Sequence, residues 1–203
     1  MEAILERCGA RLTDGHFLLT SGRHSDRFYL LSLVLQHPQA VRFLAACLAA
    51  KARNVLDLAG LDAVVGPAMG GVLLAHELAA ELGVRSLYAE KENGGMRLRR
   101  GFRVQSEESR PGGAEETTPS PRGGRVLVAE DALTTGGSVA KTMDAVRAED
   151  GEVLGVTVVV HRGRKDPHLG APLLSLLEDP ASDWAPKECP LCARGVPLTQ
   201  PKR

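Results

Sequence analysis

The chain has 203 residues, with 25 Lys and Arg against 25 Asp and Glu, so its formal net charge is zero. That length fits one domain burying roughly 70% of its unfolded surface without a disulfide or metal staple. The balanced charge gives no bulk pull toward nucleic acid or an anionic membrane. No run approaches the ~20 apolar residues of a membrane span. The N-terminal Met1-Glu2-Ala3-Ile4-Leu5-Glu6-Arg7 carries acidic residues where a signal peptide needs basic ones. Two isolated cysteines and one C-x-x-C do not make a secreted disulfide framework. The expectation is a cytoplasmic protein with no membrane or nucleic-acid partner.

In chain order, Ile4, Leu5 and Cys8 suggest a short amphipathic helix ending near Gly9. Apolar runs at 17–19 and 28–35 flank the turn Thr20-Ser21-Gly22-Arg23-His24-Ser25-Asp26-Arg27. Pro38 suits a helix start, and Val41, Leu44, Ala45, Leu48 and Ala49 follow at helical spacing. Residues 62–67 read as a buried strand that runs through Ala68-Met69-Gly70-Gly71 into a helix over 72–82, closed by Gly83. Strand 84–89, a charged loop over 89–101, strand 125–129, helix 137–148, strand 153–160 and strand 173–177 complete the pattern. Alternation of strand and helix from 62 to 160 predicts an α/β fold, a mostly parallel twisted sheet flanked by helices. Such sheets bind ligands beyond the carboxyl ends of their strands. Residues 105–124 show no apolar periodicity and are rich in Gly, Pro, Ser and Glu, so they read as a disordered insertion.

The segment Arg125–Ser138 carries most of the functional information. A buried strand leads to two adjacent carboxylates, Glu130 and Asp131, then to Ala132-Leu133-Thr134-Thr135-Gly136-Gly137-Ser138 at the opening of a helix. Free amides and hydroxyls at a helix N-terminus suit a phosphate monoester, and paired carboxylates suit a diol. A ribose 5-phosphate has both. The segment is neither a P-loop nor a G-x-G-x-x-G turn. A second turn, Gly66-Pro67-Ala68-Met69-Gly70-Gly71, has the small residues that let backbone amides approach an anion.

The 125–138 segment closely resembles the ribose-phosphate signature of the type I phosphoribosyltransferases. Beside it, the 66–71 turn resembles that family's pyrophosphate loop. Ser21-Gly22-Arg23-His24-Ser25, followed by the aromatic pair Phe28-Tyr29, resembles the N-terminal turn of the orotate phosphoribosyltransferases. The loop Ala89–Gly101 resembles the family's catalytic loop, and Arg162 stands at the strand end where those enzymes pair an arginine with the substrate carboxylate. The tail from Glu188 to Leu198 resembles the C-terminus of one bacterial and archaeal branch. Three departures accompany these matches. Thr20 replaces a usual Lys, His161 a common Asp, and the catalytic loop holds Lys91, Arg97, Arg99 and Arg100 but no histidine.

The resemblance implies transfer of the 5-phosphoribosyl group from 5-phosphoribosyl 1-diphosphate to orotate, with Mg²⁺ bound through substrate rather than by dedicated protein ligands. It also implies a homodimer whose catalytic loop reaches the neighbouring subunit. Glu130 and Asp131 would hold the ribose hydroxyls, and Ala132, Leu133, Thr134, Thr135, Gly136, Gly137 and Ser138 the 5-phosphate. Ala68, Met69, Gly70, Lys91 and Arg97 would meet the diphosphate, and Phe28, Tyr29, Thr134 and Arg162 the orotate. Lys91 and Asp131 are the expected catalytic residues. The whole chain would be one domain, with 1–36 and about 165–203 forming a hood. A transferase for another nucleobase, or a non-catalytic sensor of phosphoribosyl diphosphate, are the alternatives. Cys189-Pro190-Leu191-Cys192 invites a zinc reading, but the sequence shows no second pair or H-x-x-x-H to complete four ligands.

Overall fold

The computed structural model describes residues 2–19, 21–104, 124–164 and 167–201. Most of the insertion and Thr20 therefore lie outside the described residues. The chain opens with α1 (Glu2–Arg7), followed by four two-residue strands: β1 (Arg11–Leu12), β2 (Phe17–Leu18), β3 (His24–Ser25) and β4 (Phe28–Tyr29). A single turn, α2 (Ser32–Leu35), leads into α3 (Pro38–Val55), which starts at Pro38 as its sequence suggests. The central elements are β5 (Leu61–Pro67), α4 (Gly70–Leu82), β6 (Arg85–Glu92), β7 (Gly95–Leu98), β8 (Arg125–Leu133), α5 (Gly137–Arg147) and β9 (Glu152–His161). Last come β10 (Leu173–Glu178), β11 (Asp183–Trp184), a 3-10 turn at Pro186–Glu188 and α6 (Pro190–Ala193).

Six strands form one sheet in the order β10-β9-β8-β5-β6-β7, parallel throughout except for the edge strand β7. Its central strands read as nearly continuous apolar runs because both faces are covered. Alternate residues serve opposite layers. Val64, Leu127 and Ala129 pack with Leu44, Leu48, Leu74 and Leu78 of α3 and α4. Their neighbours Ala63, Val65 and Val126 join a second cluster with Val146 of α5, and Val128, Val156 and Val158 a third with Val139 and Met143 of the same helix.

The strand order reverses between β5 and β8. From β5 the chain crosses through α4 to β6 on one side, and from β8 through α5 to β9 on the other. Parallel crossovers of a single hand that move in opposite directions place their helices on opposite faces. The reversal also leaves a crevice at the carboxyl ends of β5 and β8, the switch point at which open α/β sheets bind ligands.

Gly71 shows how tightly this point is built. A Cβ there would lie 2.5 Å from the Ala129 carbonyl oxygen and 2.7 Å from Pro67 Cδ. The first contact is backbone of a central strand and cannot move aside. Gly71→Ala is therefore expected to destabilise the fold by about 3 kcal/mol or more, the upper end of overpacking penalties. An unchanged urea midpoint would show that α4 can shift away from β8.

The terminal segments build a smaller layer. Strands β11, β3 and β2 form an antiparallel sheet, and β1 pairs with β4. The C-terminal tail returns to this layer: the Leu18 amide donates to the Thr199 carbonyl (2.9 Å) and the Thr199 amide to the His16 carbonyl (2.8 Å). Phe17, Leu19 and Phe28 form its apolar centre.

Candidate active site

A cleft of about 780 Å³ lies at the carboxyl ends of β5, β6, β8 and β9. Pro67, Ala68 and Gly70 enter from β5, Lys91 and Glu92 from β6, Glu130 through Val139 from β8 and α5, and Arg162 from just beyond β9; Phe28 and Tyr29 come from the terminal layer. The structure thus gathers residues from across the chain into one place.

The β8 side is organised by its hydrogen-bond ladder. The sequence suggests a strand ending at Ala129 with both carboxylates beyond it. The strand instead continues to Leu133, paired with β9 as far as Leu133 opposite His161. Extended backbone turns consecutive side chains to opposite faces, so Glu130 is buried while Asp131 is half-buried. Asp131 Oδ1 accepts from the Ala132 amide at 2.7 Å, and Glu130 Oε1 from the Asp131 amide at 3.2 Å. The turn then reaches Gly136, and α5 starts at Gly137 with no side-chain cap. Its first-turn amides have no helical acceptors, and Thr135, Gly137 and Ser138 are exposed. Free amides and the helix dipole suit this helix start to an anion.

The 66–71 turn abuts that carboxylate. A Cβ on Gly70 would lie 3.0 Å from Asp131 Oδ1, so the two loops share one floor. The Ala68 amide is held by the Ala89 carbonyl at 2.8 Å, and the Ala68–Met69 peptide is cis. Met69, expected at the diphosphate through its backbone, turns its side chain outward. It does not line the cleft, and its side chain is 84% exposed.

At the opposite end stand Arg162, Phe28 and Tyr29. Arg162 is buried; its Nη2 donates to the Arg27 carbonyl at 3.0 Å, and its guanidinium lies 5.6 Å from the Tyr29 ring centre. Its Nε is buried with no hydrogen-bond partner among the described residues. Burial pulls the Arg162 pKa down, opposed by the nearby Tyr29, Asp183, Asp179 and Asp26. The Tyr29 hydroxyl donates to Asp179, and burial followed by that bond pushes its pKa upward. Asp179 also accepts from Arg27 and pairs with Arg11 at 2.8 Å. This hub escaped sequence reading because its three partners lie about 150 residues away or more, so no local spacing marks it.

The segment read from sequence as a charged loop over 89–101 is largely a hairpin. Strands β6 and β7 pair antiparallel from Ala89 opposite Leu98 to Glu92 opposite Gly95. Asn93 (φ 48°) and Gly94 (φ 80°) form the turn; an Asn-Gly pair is the favoured dipeptide where both central residues need positive φ. That signal was present in the sequence and was obscured by the surrounding charge. Lys91 lines the cleft and forms no ion pair among the described residues. Arg97, expected at the diphosphate, does not line the cleft. It pairs with Glu92 at 3.2 Å, as Arg99 does at 3.7 Å, while Arg100 pairs with Glu90 at 2.9 Å and holds that carboxyl below its ordinary range. Lys141, also missed from sequence, lines the cleft and ties α5 to the hairpin tip through the Gly94 carbonyl at 2.6 Å.

The model of a family described as "Phosphoribosyl transferase domain" matches residues 33–193. A curated relative from Pelotomaculum thermopropionicum, named orotate phosphoribosyltransferase, is 44% identical over 98% of this chain and 94% of its own length. The chain belongs to the orotate phosphoribosyltransferase family. A second member, from Chlorobaculum parvum, is 38% identical over 98% of this chain and 92% of its own. The crystal structure of orotate phosphoribosyltransferase from Aeropyrum pernix superposes with a TM-score of 0.62 at 27% identity, covering 87% of this chain and 92% of that one. The fold is the type I phosphoribosyltransferase fold, an α/β architecture with a mostly parallel central sheet. An adenine phosphoribosyltransferase from Thermoanaerobacter pseudethanolicus shares it with a TM-score of 0.53 at 21% identity, covering 75% of this chain and 88% of that one. The fold alone therefore does not choose the base. No helix among the described residues is long and apolar enough to cross a membrane.

Proposed function

We propose that this chain transfers the 5-phosphoribosyl group from 5-phosphoribosyl 1-diphosphate to orotate, giving orotidine 5-phosphate and diphosphate, and that the 780 Å³ cleft is where it does so. The observation that carries this reading is one cleft with an anion-binding helix start, a carboxylate pair and a buried arginine fork at separate stations. A phosphate, a ribose and a carboxylate-bearing base need those three stations.

A ring nitrogen of orotate forms a bond to the anomeric carbon as the carbon–oxygen bond to diphosphate breaks. Positive charge develops on the ribose and negative charge on the leaving group, so the protein's work is positioning and electrostatics. Glu130 and Asp131 hold the ribose hydroxyls and face the developing positive charge. The amides of 132–138, with the Thr134, Thr135 and Ser138 hydroxyls, bind the 5-phosphate. The Ala68–Gly70 backbone and Lys91 take the diphosphate. Phe28 and Tyr29 border the base, and the Arg162 fork takes its carboxylate.

The cleft fits Mg²⁺. Its carboxylates, Glu92, Glu130 and Asp131, are hard oxygen donors, and no histidine or cysteine lines it among the described residues. Bound through substrate oxygens, Mg²⁺ would neutralise charge on the leaving diphosphate. We also assign a homodimer, in which the hairpin's outward Arg97 serves the neighbouring subunit's site rather than its own. Residues 1–36 and about 165–203 supply the hood over the base.

Formation of orotidine 5-phosphate from orotate, 5-phosphoribosyl 1-diphosphate and Mg²⁺ tests the reading; a well-folded preparation without turnover overturns it. Lys91→Ala sharpens the test. Lys91 is exposed and forms no ion pair among the described residues, so its loss should leave thermal stability unchanged. Activity should fall by roughly 10²–10³, the effect of removing one preorganised charge from a leaving group. A change below about threefold would remove Lys91 from the mechanism.

A further inference from the structure

We propose that His16, His24, Cys189 and Cys192 form a structural zinc site, separate from the cleft. Their ligand atoms all lie within 4.8 Å of one another. Zinc–sulfur bonds of about 2.3 Å and zinc–nitrogen bonds of about 2.0–2.1 Å set the edges of a tetrahedron at roughly 3.3–3.8 Å. His16 Nε2 lies 3.4 Å from Cys189 Sγ and 3.8 Å from Cys192 Sγ, and His24 Nδ1 lies 3.3 Å from Cys192 Sγ. The two ring nitrogens are 2.9 Å apart, which a bound ion would spread by a few tenths of an ångström.

An independent contact orients one ligand. His16 Nδ1 lies 2.8 Å from the Val196 carbonyl oxygen, which it meets as a donor. That fixes the proton on Nδ1 and leaves the Nε2 lone pair facing the cluster, the outer-shell arrangement of metal-bound histidine. The two thiols come from a C-x-x-C at the start of α6, and His16, His24 and Cys189 are buried. Two sulfurs and two imidazoles in a closed tetrahedron select zinc over hard cations. None of the four residues lines the cleft, and four protein ligands leave no open position for a reacting group.

The site would clasp the two ends of the chain. His16 precedes β2 and His24 opens β3, while the cysteines sit in the C-terminal tail. The sequence alone could not complete the set, because Cys189 and His16 are 173 residues apart. The histidines belong to no paired motif and become ligands only through the β2–β3 pairing, with Leu18 opposite His24.

The test uses the full chain purified without chelator and does not depend on turnover. Elemental analysis should find one zinc ion per chain. Cobalt exchanged into the site should give the intense visible absorption of a tetrahedral thiolate centre. Stripping the metal should lower Tm by roughly 10 °C or more. Cys192→Ser replaces the exposed ligand and should lose the zinc and the cobalt spectrum; if that variant does not fold, the metal content and cobalt spectrum of the unmodified chain decide. Absence of zinc after reduction and reconstitution, retention of zinc by folded Cys192→Ser, or a native mass short of two hydrogens, marking a Cys189–Cys192 disulfide, would each overturn the proposal.

Discussion

Replacing Arg162 with alanine is expected to raise the orotate KM by roughly 100-fold or more, while the KM for 5-phosphoribosyl 1-diphosphate moves by less than about threefold. A guanidinium fork offers a carboxylate two parallel charge-assisted hydrogen bonds, each contributing ~1.5–3 kcal/mol. About 3 kcal/mol in all is two decades of affinity. The site is prepared for such a ligand. Arg162 is held by the Arg27 carbonyl and lies over the Tyr29 ring, and Tyr29 is fixed in turn by Asp179. The buried Nε has no partner among the described residues. Arg162→Lys keeps the charge but not the fork, so it should recover little of the lost affinity. Because Arg162 also ties β9 to the β3–β4 turn, the alanine variant should lose some stability, and the split between the two KM values is the decisive readout. A parallel rise in both would show that Arg162 shapes the cleft as a whole and does not bind the base.

Much of this arrangement is legible in the sequence because it is local. The apolar run of β8, the acidic pair and the hydroxyl- and glycine-rich turn follow one another without interruption, so their order gives the strand–helix unit and nominates its helix start for an anion. The apolar spacing of α3 and α4 and the short run of β5 are legible for the same reason. What is misread depends on pairing. Whether Glu130 and Asp131 lie beyond β8 or within it is decided by β9, whose partner residues continue to His161. The 89–101 segment reads as a loop because its charge masks the Asn-Gly turn, yet Met96 and Leu98 face the core through β7 and fix its register. Asp179 and the histidine–cysteine cluster are illegible for a third reason. Each gathers residues from both ends of the chain, and no spacing in one stretch encodes their meeting. Met69 shows a different limit: residues of the 66–71 turn face the cleft, but that does not place every side chain there.

Asp131→Asn should lower kcat/KM for 5-phosphoribosyl 1-diphosphate by roughly 10²–10³ with little change in stability. The substitution keeps the shape of the side chain and an oxygen able to accept from the Ala132 amide, as Oδ1 does at 2.7 Å. It removes the negative charge. A hydrogen bond to a charged acceptor contributes ~1.5–3 kcal/mol, and in the proposed reaction the carboxylate would also face the positive charge that develops on the ribose. A loss of about 3–4 kcal/mol from the transition state is then two to three decades in rate. Asp131 is half-buried and abuts Gly70, so relieving its charge should not unfold the strand end. Glu130→Gln provides the comparison. Glu130 is more buried and accepts from the Asp131 amide, so its substitution should cost more stability and disturb its neighbour's backbone. If the two variants fall equally in activity with Asp131→Asn fully folded, the pair acts as one acceptor for the ribose diol. If Asp131→Asn binds 5-phosphoribosyl 1-diphosphate as the unmodified chain does and turns over normally, the diol must be held elsewhere in the cleft, and the β8 carboxylates serve only to order the 132–138 turn.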